Sequence, residues 1–227
     1  MGKSVVARLL AQWMIDRGRA LAAVDCDGSH GVLLRHYAEF TQPADLSSSA
    51  SVDQIVDRAL GAERDVIVDL PAQSARALEA WLIDANVLPF AREMGVGVTY
   101  WHVCDGGFAS VVEIERALRV LGEQVRHVVV KNYGRTKDFR QFDNSKAKVL
   151  LEELGGQLFE LSELDASTMY AIDSLGLSFW AAAHGTPGHA EPRPLERQRT
   201  KLWLERSYLA LNALNGLAPR QNTEQSG

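Results

Sequence analysis

Met1-Gly2-Lys3-Ser4, followed at once by Val5-Val6-Ala7-Arg8-Leu9-Leu10, joins a Gly-Lys-Ser to a helical apolar pattern. That is the closing end of a phosphate-binding loop, which in full reads G-x-x-x-x-G-K-[ST] and follows a buried strand. Gly2, Lys3 and Ser4 fill its last three positions, and Met1 fills the one before them. The first glycine, the next three loop positions and the strand do not precede them. Either the match is accidental or the loop begins upstream of Met1, and the rest of the chain has to decide.

Outward from that stretch, Val5, Val6, Leu9, Leu10, Trp13 and Met14 recur at three- and four-residue spacing. They predict a helix over 4–17 with one apolar stripe, Arg8, Gln12, Asp16 and Arg17 on the other face and Gly18 as its stop. Residues 20–24, Ala-Leu-Ala-Ala-Val, suit a buried parallel strand. It ends in Asp25-Cys26-Asp27-Gly28, which reads either as a plain turn or as acids at the ligand-binding end of an open α/β sheet. A helix is expected over 51–60, capped by Ser51 with Val52, Ile55, Val56 and Leu60 inward, after a Ser47–Ser49 loop. Asp65-Val66-Ile67-Val68-Asp69-Leu70-Pro71 has the form of a buried strand with an acid at its carboxyl end, and Pro71 stops the ladder.

The alternation continues. Residues 74–94 read as helical with a break near Pro89, 97–103 as a strand ending in Cys104-Asp105-Gly106-Gly107, and 108–121 as an amphipathic helix. Strand 125–130 ends in Lys131-Asn132-Tyr133-Gly134; helix 145–154, strand 157–161 and helices over 167–183 follow. The Pro- and Gly-rich 185–194 reads as a linker after a domain of 1–184, with a last helix over 195–217 and a polar, disordered tail at 218–227. The last helix either packs on its own domain or offers a partner surface.

The expected fold is therefore α/β, a mainly parallel sheet with helices on both faces, the P-loop NTPase arrangement with its first strand missing. The strand ends share one rim, so the loop remnant, Asp25, Asp27, Asp69, Asp105 and Asn132 face one crevice.

The 227 residues are 46% hydrophobic and 23% charged, a globular composition, and the net charge of −5 argues against wholesale coating of nucleic acid while leaving room for a local basic patch. Cys26 and Cys104 fit no metal or redox spacing and read as buried reduced thiols. No run of about 18 apolar residues and no cleavable leader is present, which predicts a cytoplasmic protein without a membrane span.

The ordered set Gly2-Lys3-Ser4, Val24-Asp25-Cys26-Asp27, Val66-Ile67-Val68-Asp69-Leu70-Pro71 and Val130-Lys131-Asn132 resembles the ParA/MinD-type P-loop ATPases, over roughly residues 1–161. Within that family the helix GKSVVARLLAQW and the strand end VVVKNYG are most similar to small ATPases of plasmid conjugation and mobilisation (TraL-, StbB- or MobD-like). The resemblance implies ATP and Mg²⁺ as cofactors. Gly2, Lys3, Ser4 and Val5 would hold the phosphates, with Lys3 neutralising the β- and γ-oxygens and Ser4 and Asp69 at the Mg²⁺. Asp27 would position or activate the attacking water, and Asn132 would read the adenine edge. It also implies a homodimer, a plasmid transfer or partition protein as partner, and weak or indirect DNA contact, for which the basic loop 131–140 and the charged start of the last helix are the first places to look.

The chain departs from the family pattern at two points. The signature lysine near the start of the K-G-G-x-G-K-[ST] loop is not there, and Ala72-Gln73 stands where relatives carry a glycine after the proline. No cysteine arrangement fits a bridging iron–sulfur cluster, and Gln221–Gly227 cannot form the membrane helix that ends MinD-type relatives. One expectation about the start is that Met1 occupies a loop position commonly held by Val, so that a GTG codon internal to a longer frame would account for it. Two other functions fit the same residues: a small-molecule kinase or ligase of the P-loop superfamily, using Lys131, Arg135, Lys137 and Arg140 as a lid, or an adaptor that keeps the fold without hydrolysis.

Overall fold

A computed structural model describes residues 2–61, 65–186 and 190–217. The expected tail at 218–227 lies outside the described residues, as does Met1. The chain order is α1 (Lys3–Ile15), β1 (Leu21–Asp25), α2 (Val32–His36), β2 (Thr41–Pro43), α3 (Ser49–Leu60), β3 (Asp65–Asp69), α4 (Ala75–Asp84) and α5 (Val87–Glu93). There follow β4 (Thr99–Cys104), α6 (Phe108–Leu121), β5 (Arg126–Asn132), α7 (Arg140–Asp143), α8 (Lys146–Glu153), β6 (Gln157–Leu161), α9 (Ala166–Leu175), α10 (Phe179–His184) and α11 (Pro194–Asn212). No helix among the described residues is long and apolar enough to cross a membrane.

The fold is α/β, and every strand pairing is parallel. The strands form two three-stranded sheets, ordered β2-β1-β3 and β4-β5-β6. β3 and β4 thus each keep one edge without a strand partner among the described residues. Apolar side chains close the seam instead. Ile67 of β3 and Val103 of β4 share one buried cluster, and Leu70 and Tyr100 share another on the other side.

Helices cover both faces, as the side-chain alternation of β5 shows. Val128 and Val130 pack with α1, α9, α10 and α11, whereas Val129 packs with α6, α7 and α8. Trp203, Leu204 and Leu211 place α11 inside the main core, and Arg19 and Arg126 hold the stretch after α11 by donating to the carbonyls of Leu217 and Gly216.

Several sequence expectations are corrected. Arg8 and Gln12 do not face solvent: α1 is enclosed on every side, and both are buried (1% and 2% exposed). Arg8 pairs with Asp173 at 2.7 Å and lies over the Phe179 ring. Gln12 Oε1 accepts from the Tyr37 hydroxyl at 3.1 Å and from the Trp180 N–H at 3.0 Å. The cap of α3 is Ser48, not Ser51, so Ser49 lies in the helix; Ser48 Oγ accepts from the Ser51 N–H. The break in 74–94 falls at Asn86, which takes the left-handed conformation at φ 51°, while Pro89 sits in the first turn of α5, where a proline costs nothing.

Candidate nucleotide-binding rim

α1 starts at the carboxyl end of β3. Its N-cap is Gly2, with φ 98° and ψ 16°, a backbone that only glycine adopts cheaply. The first hydrogen bond of the helix runs from the Val6 N–H to the Gly2 carbonyl at 3.2 Å. The N–H groups of Lys3, Ser4 and Val5 come before it, so they have no intrahelical acceptor and point out of the helix end with its positive dipole. Val5 offers only that backbone group, because its side chain packs on the core.

Lys3 is half-buried, and its ammonium donates to the Pro71 carbonyl at 2.6 Å. Burial lowers its pKa, and the nearby carboxylates of Asp69 and Asp27 counter part of that shift. The Ser4 hydroxyl donates to Asp69. Asp69 is 2% exposed, and burial raises its pKa to about 6 against the pull of Ser4 and Lys3. Its Oδ2 is buried with no hydrogen-bond partner. A carboxylate oxygen left bare in the interior costs free energy unless a cation or donor reaches it.

The two acids after β1 have different jobs. Asp25 is buried and fully engaged, Oδ1 accepting from the Asp27 N–H at 3.0 Å and Oδ2 from the Leu34 N–H at 2.9 Å. It shapes the loop and carries α2. Asp27 stands further out, accepting from the N–H groups of Ser29 and His30, with His30 Nδ1 3.2 Å from Oδ2. His30 was not singled out from the sequence; its spacing of three from an acid in a turn was the available signal.

Asn132 ends β5 on the far side of the seam. It is 6% exposed, and its Oδ1 accepts from the Gly134 N–H at 3.1 Å. A Cβ on Gly2 would lie 2.4 Å from its Nδ2, so Asn132 and the loop remnant touch. The turns after β4 and β5 also close on each other: a Cβ on Gly106 would meet Thr136 Cγ2 at 2.5 Å and the Asp138 carbonyl at 2.6 Å. Asp105 caps this corner by accepting from the Gly107 N–H.

The structure therefore brings Gly2, Lys3, Ser4, Asp27, Asp69 and Asn132 to one rim. The basic loop is different from its sequence expectation. Lys131 turns inward to Asp143 at 2.6 Å, Lys137 pairs with Glu163 and Arg140 with Asp138. Three of the four cations that the kinase or ligase alternative would use as a lid are neutralised by neighbouring acids. At the start of α11, Arg197 pairs with Glu191 and Arg199 lies 3.6 Å from Asp165. Cys26 and Cys104 are free and buried, as expected.

Among the described residues no three His, Cys, Asp or Glu side chains gather into a metal cage. Mg²⁺ does not need one, since it commonly takes one or two protein oxygens and fills its shell with phosphate and water. The Ser4 hydroxyl beside the bare Asp69 oxygen is a donor set of that kind. No protein-family model and no curated protein matches this chain.

Proposed function

We propose that the chain is a ParA/MinD-like nucleotide switch that binds ATP with Mg²⁺ and hydrolyses it slowly. The observation that carries this reading is the orphaned, buried Asp69 Oδ2 beside the Ser4 hydroxyl at the N-terminus of α1. The N–H groups of Lys3, Ser4 and Val5 would take phosphate oxygens and Lys3 would neutralise their charge. Bound Mg²⁺ would supply charge neutralisation across the phosphates, held by Ser4 and Asp69. Asp27 would orient a water, and His30 would hold its carboxylate. Asn132, across the seam, would meet the base. Nucleotide-dependent dimerisation and engagement of a plasmid transfer or partition protein extend the same reading.

Titration with Mg-ATP by calorimetry tests it. Saturable binding that needs Mg²⁺, and that Lys3→Ala and Asp69→Asn each weaken by at least roughly tenfold, supports the switch. Unchanged binding in both variants sinks it.

A second reading, an adaptor that keeps the fold without hydrolysis, draws on one contact. Lys3 is committed to the Pro71 carbonyl at 2.6 Å. If that bond is its role, Lys3→Ala lowers thermal stability and leaves partner function intact. The kinase or ligase alternative has less support, because three of the four cations of its lid, Lys131, Lys137 and Arg140, are paired with acids.

A further inference from the structure

α11 carries apolar residues on two sides. Trp203, Leu204 and Leu211 are buried against the protein. Leu195, Leu202 and Leu209 recur every seven residues on the other side and are 70%, 40% and 72% exposed. Seven residues are nearly two helical turns, so these leucines stack in one column about 21 Å long. Three residues after each leucine come Gln198, Glu205 and Asn212, which lie on one flank of the column. Four residues after the first two come Arg199 and Arg206, which lie on the other. All five flanking side chains are exposed.

We infer that this column seats the same column of a second copy, with the two α11 helices parallel and in register about a two-fold axis. Charge decides the orientation. In a parallel pair, opposite flanks meet, so Arg206 of each copy faces Glu205 of the other and Arg199 faces Gln198. In an antiparallel pair, like flanks meet, and Arg199 would face Arg206 across the seam. The long, exposed contact between Arg199 and Asp165 leaves the guanidinium on its flank. Each helix is already fixed to its own body through the buried side, so pairing does not have to order it.

The pairing uses none of the residues of the nucleotide rim. It forms without nucleotide, so nucleotide-free protein tests it apart from any nucleotide-dependent dimer, and its failure would leave the nucleotide reading standing.

Sedimentation velocity on the full chain, from about 1 µM to about 500 µM, brackets a micromolar Kd. The expected result is a monomer–dimer equilibrium. Leu202→Asp weakens it at least roughly tenfold, with far-UV circular dichroism unchanged because the residue is on the surface. Glu205→Arg or Arg206→Glu alone also weakens it, and the double exchange restores it. Leu195→Cys cross-links to itself under oxidation, whereas an antiparallel pair would set those thiols about 21 Å apart. A monomer across the whole range, a dimer indifferent to Leu202→Asp, or Leu195→Cys that joins only to Leu209→Cys overturns the inference.

Discussion

Gly2 and Asn132 are in such close contact that a single methyl group on the glycine would fall 2.4 Å from the Asn132 amide nitrogen. The loop remnant and the end of β5 are thus fitted to each other across the seam between the sheets. Gly2→Ala meets two penalties, the clash and a left-handed backbone at φ 98° worth about 1–2 kcal/mol. It is expected to lower thermal stability and to disturb the α1 N-terminus where phosphate would bind. Asn132→Ala removes the clash but not the backbone strain, so Gly2→Ala/Asn132→Ala should recover part of the loss. Equal stability of the single and double variants in denaturant titrations would show that the contact does not matter.

Asp69 sets function against stability. Its folded pKa of about 6 is above the ordinary 3.8, so its contribution is present below pH 3.8 and is lost as pH rises through about 6. Asp69→Asn removes that buried charge. In the absence of nucleotide and metal it should stabilise the protein at pH 7.5 by on the order of 2 kcal/mol, while abolishing Mg-dependent ATP binding. Calorimetric melting with and without Mg-ATP reads both effects, and a destabilised variant would contradict the assignment of a bare carboxylate.

Gln73 holds a left-handed φ of 63° just past Pro71, without being glycine. Its strain is relieved by Gln73→Gly, which should gain about 0.5–1 kcal/mol after the entropy that glycine adds to the unfolded chain is allowed for. Chemical denaturation is sensitive enough to decide, and a loss of stability would mean that the glutamine side chain has a compensating role.

Arg8 is a guanidinium in the core with Nε and Nη2 lacking partners. Its ion pair with Asp173 is the main compensation, although Asp173 is 42% exposed. Asp173→Ala leaves the buried charge uncompensated and should cost about 2 kcal/mol, discounted for that exposure. Arg8→Met, which removes the charge and keeps the length, should cost less. The reverse order in urea titrations would count against this account.

Acid should unfold the protein through three buried histidines. Burial lowers the pKa of His102 to about 3 and of His36 to about 4, and it lowers that of His127 as well. His102 Nε2 and His127 Nδ1 lie 3.0 Å apart, so one ring must donate to the other, an arrangement that two charged rings cannot keep. A depressed folded pKa gives stability that is present above pH 6.5 and lost as pH falls toward the folded values. His102 and His36 should each cost about 1.4 kcal/mol per pH unit below that point, His127 adds in the same direction, and Asp69 offsets part of the loss. Stability at pH 7.5 and pH 5.0 should therefore differ by several kcal/mol, and replacing His102 with Gln should flatten the dependence.

Strong periodicity made much of the fold legible. α6 at 108–121 and β6 at 157–161 fall where the apolar spacing places them. Periodicity could not show that α1 is enclosed, so Arg8 and Gln12 were read as surface when their partners, Asp173 and Tyr37, come from distant parts of the chain. α2 and β2 escaped because five residues and Thr41-Gln42-Pro43 are too short to carry a period. At the rim, Lys3 and Ser4 could be expected from the Gly-Lys-Ser before a helical pattern, and Asp27 and Asp69 from strand ends. The full engagement of Asp25, the contact of Asn132 with Gly2 and the backbone of Gln73 depend on how loops close in space.

The missing ladder between β3 and β4 has a mechanical meaning. Among the described residues no backbone ladder joins the sheets, so load passing directly from β3 to β4 travels through apolar side chains that slide more readily than a paired strand. Asp69 rides on one sheet, with Lys3 tied to it through the Pro71 carbonyl, and Asn132 rides on the other. A small shear at Ile67 and Val103 would therefore open or close the span between the two ends of the rim, as a vise changes its gap by moving one jaw.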